Sequence, residues 1–105
     1  MADSYGNQIH VIVVEEEMAL TLNELCRASG SDTAQVFALV GEGVLEPRGN
    51  GPPNWIFDAP SLRTVRTALR LARDFELDIP GVAMVLELLK QIKDLQTRLN
   101  RAGVR

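Results

Sequence analysis

Two short amphipathic stretches meet at a glycine between Thr21 and Pro47, and this constrains the fold more than any other feature of the chain. In TLNELCRASGSDTAQVFALVGEGVLEP, Thr21 stands three residues before Glu24, the spacing of a helix capping box. Leu22, Leu25 and Cys26 then share one helical face, and Gly30 suits the left-handed residue that ends a helix. Ser31 or Asp32 can cap a second helix, with Val36, Phe37, Leu39 and Val40 as its apolar side. Two helices joined at a glycine make a helix-turn-helix.

The glycine- and proline-rich run Arg48 to Asn54 excludes helix and central strand. With Val44-Leu45 before it and Trp55-Ile56-Phe57 after it, the segment predicts a β-hairpin wing. Asp58 and Pro60 open a third helix that keeps its apolar spacing through Leu62, Val65, Ala68 or Leu69, and Leu71-Ala72 to about Phe75. Asp78-Ile79-Pro80-Gly81 breaks the chain, and a last helix runs from Val82 to about Ala102. Upstream, the β-branched run Ile9–Val14 predicts a strand, while the state of Met18-Ala19-Leu20 stays open. The expected architecture is mainly α. A flexible segment 1–8 precedes a winged helix-turn-helix body over 9–80 with a small hairpin and an N-terminal strand, and a coiled-coil-like helix fills 81–105.

Charge argues against the usual ligand of such a body. Residues 1–60 hold Asp3, Glu15, Glu16, Glu17, Glu24, Asp32, Glu42, Glu46 and Asp58 against only Arg27 and Arg48, a balance of −7. Duplex DNA is bound largely by neutralising phosphates with Lys and Arg. The second helix has neither, and guanine readout rests on those side chains. Gln35 alone is weak support for adenine readout, and an exposed Phe37 or Val36 fits a protein contact equally well. Residues 61–105 balance at +4, with Arg63, Arg66, Arg70 and Arg73 lining one face of the third helix. That stripe is either a solvated face, partly neutralised by Asp74, Glu76 or another chain, or a phosphate-tracking surface.

In the last helix Val85, Leu88, Ile92, Leu95, Leu99 and Ala102 alternate spacings of three and four, the seam of a coiled coil. The alternative is packing across the chain's own body, toward which Leu86 and Leu89 widen the stripe. Self-association as a homodimer is the favoured reading. Trp55 reads as a core anchor between the hairpin and the third helix beside Phe57, and Cys26 as a small buried hydrophobe. One histidine, His10, and one cysteine leave no catalytic set, metal site or cofactor motif. The absence of a leader or membrane-length apolar run predicts a cytoplasmic protein. A small-molecule sensor using space beneath Trp55 has no residue in its favour.

Four stretches in this order, TLNELCRASG at 21–30, VGEGVLEP at 40–47, WIFD at 55–58 and LDIPGVAMVLEL at 77–88, resemble the chaperone-modulator family CbpM. The resemblance spans residues 9–102. It implies a MerR-like winged-helix body that binds the J-domain of a DnaJ-like co-chaperone, CbpA, and blocks both Hsp70 stimulation and that partner's binding to curved DNA. The implied partner offers a basic helix, so the carboxylates expected at the contact are Glu42, Glu46, Asp58, Asp74, Glu76 and Asp78. Direct DNA binding is then not expected. The rival reading is a MerR-like transcription regulator that binds a palindromic operator as a dimer. The glycine-proline wing and the longer, more acidic N-terminal stretch depart from the family pattern.

Overall fold

The computed structural model describes residues 19–103; the strand expected over Ile9–Val14 and the flexible segment 1–8 lie outside them. The chain runs β1 (Ala19–Thr21), α1 (Leu22–Ser29), α2 (Thr33–Gly41), β2 (Ile56–Asp58), α3 (Ala59–Phe75) and α4 (Ile79–Arg101), with a 3-10 turn at Pro52–Asn54.

Side-chain caps set the starts of the helices. Thr21 Oγ1 accepts from the Glu24 N–H at 3.1 Å while Glu24 Oε1 accepts from the Thr21 N–H at 2.9 Å. Asp32, rather than Ser31, makes the same reciprocal pair with Gln35 at 2.8 and 3.0 Å. Asp58 accepts from the Ser61 N–H and hydroxyl, and Asp78 from the Gly81 N–H. These bonds satisfy amides that the first turn of a helix leaves without partners. Asp78 together with Pro80 starts α4 at Ile79, three residues before the expected Val82.

β1 and β2 pair antiparallel, Ala19 with Asp58, Leu20 with Phe57 and Thr21 with Ile56. Leu20 and Phe57 face each other in the core, whereas Ala19, Thr21 and Asp58 are exposed, as the two-residue period of a strand requires. Thr21 and Asp58 each end a strand and cap the following helix, so the small sheet fixes where α1 and α3 begin. This corrects the expected wing. Its base is a single bridge, in which the Arg48 and Ile56 amides donate to each other's carbonyls at 3.0 and 2.9 Å. Val44–Pro47 is not strand; the ladder partner of β2 is β1. Pro47 has no N–H to extend a ladder, and the turn at Gly49, with φ of 112°, admits no side chain because a Cβ would overlap the Asn54 carbonyl.

The core takes Leu20 from β1, Leu25 from α1, Val36 and Leu39 from α2, Leu45 after it, Phe57 from β2, Val65 and Ala68 from α3 and Val82 from α4. Cys26 is half-buried against this cluster. α4 joins it only by its first two turns. Leu86 packs on the core as expected, but Leu89 is exposed, as is every residue from Glu87 to Gly103. At 1.5 Å per residue the stretch from Glu87 to Arg101 projects by about 20 Å.

One junction carries strain. Glu76, which ends α3, has φ of 54° and donates its N–H to the Ala72 carbonyl in the position where glycine is normally found. Its side chain also puts negative charge at the negative end of a helix. Glu76→Gly is expected to raise the unfolding free energy by about 1 kcal/mol, read as a higher urea midpoint at constant slope. A lower midpoint would show that contacts of the Glu76 side chain outweigh the backbone strain.

Candidate interaction surface

The side of α2 that faces away from the core is formed by Thr33, Ala34, Phe37 and Gly41, and none of them is charged. Val36 and Leu39 on the opposite side are fully buried. Of the two apolar residues that the sequence left as contact candidates, Phe37 is therefore the one that reaches solvent, at 43% exposure. Its ring meets Trp55 edge to face at 5.5 Å, and Trp55 meets Phe57 in the same way at 5.9 Å. Trp55 is thus half-buried against the core, beside Phe57 as expected and also in ring contact with Phe37 of α2.

Five of the nine carboxylates counted over residues 1–60 belong to described residues, and three of these, Glu24, Asp32 and Asp58, accept the capping bonds. Glu42 and Glu46 are exposed, and among the described residues their carboxylates accept no hydrogen bond and form no ion pair. Among the described residues, the acidic front narrows to this pair at the exit of α2. The remaining candidates are set apart. Asp58 starts α3 while Asp74, Glu76 and Asp78 lie at or just beyond its C-terminal end, and the 17 residues of the helix amount to about 25 Å. Asp78 is a cap, and Asp74 accepts from Arg73 Nε at 3.4 Å, the only ion pair among the described residues.

Glu42 also lines an open cleft of about 570 Å³ between the α2 exit, Thr64 of α3 and the start of α4, where Met84, Glu87 and Lys90 form the far side. On α3, Arg63, Arg66, Arg70 and Arg73 are all exposed. Arg66 donates to the Ala28 carbonyl at 3.1 Å, so this guanidinium closes the C-terminal end of α1. The expected neutralisation by Asp74 is present at Arg73. Of the seam in α4, Val85 is half-buried, while Leu88, Ile92, Leu95 and Leu99 are each about half exposed on a projecting helix. Among the described residues there is no grouping of side chains able to hold a metal ion, and no helix is long and apolar enough to cross a membrane.

Comparison with known proteins gives this geometry its relatives. The profile of MerR HTH family regulatory proteins matches residues 20–102, from the middle of β1 to the end of α4. The chaperone modulatory protein CbpM of Citrobacter koseri is 37% identical over 79 residues, covering 75% of this chain and 78% of the relative. That of Coxiella burnetii is 33% identical over 88 residues, 84% of this chain and 83% of the relative. The chain belongs to the CbpM family. In Pseudomonas entomophila the CbpM relative is 33% identical over 78 residues, again about three quarters of each chain. Both family descriptions, a chaperone modulator and a MerR-type regulator, denote non-catalytic kinds of protein.

Sequence reasoning did not find the cleft. Its lining residues come from three stretches between Glu42 and Lys90, and no local pattern joins Glu42 to Glu87. The uncharged face of α2 was visible in composition only.

Proposed function

We propose that this protein is a non-enzymatic modulator that binds the J-domain of a CbpA-like co-chaperone, and so prevents that partner from stimulating Hsp70 and from binding DNA. The observation that carries the reading is α2. Where a DNA-reading helix would present cations, it presents Thr33, Ala34, Phe37 and Gly41, followed by Glu42 and Glu46. A basic protein helix complements that surface, whereas a phosphate backbone is repelled by it. Kinship with chaperone modulatory proteins supports the same partner class. Glu42 and Glu46 are proposed as the primary acidic contacts, and Asp74, Glu76 and Asp78 as a secondary set at the α3–α4 bend. Asp58, at the other end of α3, reaches the same partner only if the contact spans the helix.

Titration of the J-domain into the wild type should give a salt-sensitive complex. Glu42→Lys with Glu46→Lys is expected to weaken it about tenfold near physiological salt, mainly through slower association, and to flatten the salt dependence. An unchanged association rate would move the contact off this pair. No binding by the wild type would overturn the reading itself.

The MerR kinship and the exposed arginines of α3 favour one rival, a regulator that binds DNA. A sequence-specific gel shift at low salt, lost on Arg63→Ala with Arg70→Ala, would establish that rival in its place. In either role we propose that the chain works as a homodimer held by α4, with the body over residues 9–80 carrying the ligand and residues 81–105 the pairing helix.

A further inference from the structure

Resting on the J-domain reading, we infer that the partner's helix lies on the exposed face of α2, with Phe37 as the apolar anchor and Glu42 and Glu46 as receivers of its cations.

Phe37 is unusual on this helix in being both large and accessible. Its exposed neighbours Thr33, Ala34 and Gly41 are small, so a second backbone can approach closely on either side of the ring. The ring is not loose. Edge-to-face contact with Trp55, itself in contact with fully buried Phe57, connects it to the core. An aromatic side chain already held in place loses little conformational freedom when a partner covers it, which is the property of an interface anchor. Anchors of this kind carry a large share of binding energy, whereas rim charges act mainly on encounter and register.

The surroundings define the occupant. Glu42 stands five residues beyond Phe37, about 7.5 Å along the helix axis and roughly 140° around it on the side of the α4 cleft, and Glu46 follows the turn, so the acidic pair flanks the Phe37 face. The matching surface is a helix with one bulky apolar side chain and with Lys or Arg one to two turns away. A nucleic acid offers the opposite charge, and α2 has no cation to hold it.

The only tryptophan of the chain touches the proposed anchor, so binding can be read without a substitution. A tryptophan-free J-domain titrated into the full-length wild type should shift Trp55 emission and protect it from acrylamide quenching. Phe37→Ala should weaken the complex about tenfold or more, and Phe37→Tyr should retain most of the affinity. Far-ultraviolet circular dichroism and the urea midpoint of each variant separate lost binding from lost folding. A J-domain complex that leaves Trp55 emission and quenching unchanged would overturn the inference while leaving the partner intact. The inference fails equally if Phe37→Ala binds within twofold of wild type but Glu87→Lys does not, since the partner would then occupy the cleft beside α4. A Trp55 shift caused by duplex DNA, with no response to the J-domain, would overturn both the inference and the reading beneath it.

Discussion

Phe57→Ala is expected to cost about 3–5 kcal/mol of unfolding free energy, seen as a large drop in the urea midpoint with an unchanged slope. Phe57 is among the largest fully buried side chains, and three separate functions converge on it. It faces Leu20 across the β1–β2 ladder, it supports Trp55 edge to face, and it immediately precedes the Asp58 cap of α3. Removing the ring leaves a cavity that rigid neighbours fill only in part. A domain of this size has a total stability of about 5–15 kcal/mol, so the variant should be marginal near 37 °C. Phe37→Ala provides the contrast. It removes a ring that is nearly half in water and should cost only about 1 kcal/mol. Equal losses at the two positions would mean that Phe37 is a core residue, and the exposed aromatic face of α2 would lose its physical basis.

The helical framework was legible because its signals are local. Thr21 with Glu24, Asp32 with Gln35, Asp58 and Asp78 all cap helices, and Gly30 is left-handed with φ of 73°. The β1–β2 ladder was not legible. Ala19-Leu20-Thr21 is too short to show a period, and its pairing is decided by burying Leu20 against Phe57, 37 positions away. The break after α3 was expected at Asp78-Ile79-Pro80-Gly81, but the chain turns at Glu76, a left-handed residue that propensity alone argues against, and Ile79 already starts α4.

The candidate surface divides in the same way. That α2 has no cation is a fact of composition. Which residue of Val36-Phe37-Ala38-Leu39-Val40 faces water is not, because five consecutive apolar positions surround the whole helix and leave periodicity nothing to distinguish. Only packing against α1 and α4 selects Phe37. The acid count likewise gave charge without position. It could not separate carboxylates that cap helices from Glu42 and Glu46, or reveal that Asp58 and Asp78 lie at opposite ends of α3.

Introducing carboxylates at the proposed seam, Ile92→Asp with Leu95→Asp, is expected to weaken self-association a hundredfold or more while leaving the fold of the body intact. From Glu87 onward every described residue of α4 is exposed and none belongs to the core, so its apolar side chains Leu88, Ile92, Leu95 and Leu99 add little to the body's own packing. Paired with a second copy, each buries the half of its surface that the isolated helix leaves in water. At about 25 cal/mol per Å² that is on the order of 1 kcal/mol per side chain. Several such side chains from each chain act against the entropic cost of association, so pairing is expected to depend on concentration. Two aspartates in adjacent layers remove two of those contacts and would bury four like charges in the dimer. Sedimentation equilibrium should therefore give the dimer mass for the wild type at tens of micromolar and the monomer mass for the variant. The urea midpoint of the variant should lie close to that of the wild-type monomer, because exposed substitutions change stability by about 0.5 kcal/mol. A monomeric wild type would show that the half-exposed stripe is not a homodimer seam, and a variant that remains dimeric would place the contact on the body. If dimers form through α4 as proposed, the α2 face of each copy stays open, so the variant should bind the J-domain with unaltered affinity per chain. Loss of both activities together would instead tie the ligand surface to the pairing helix.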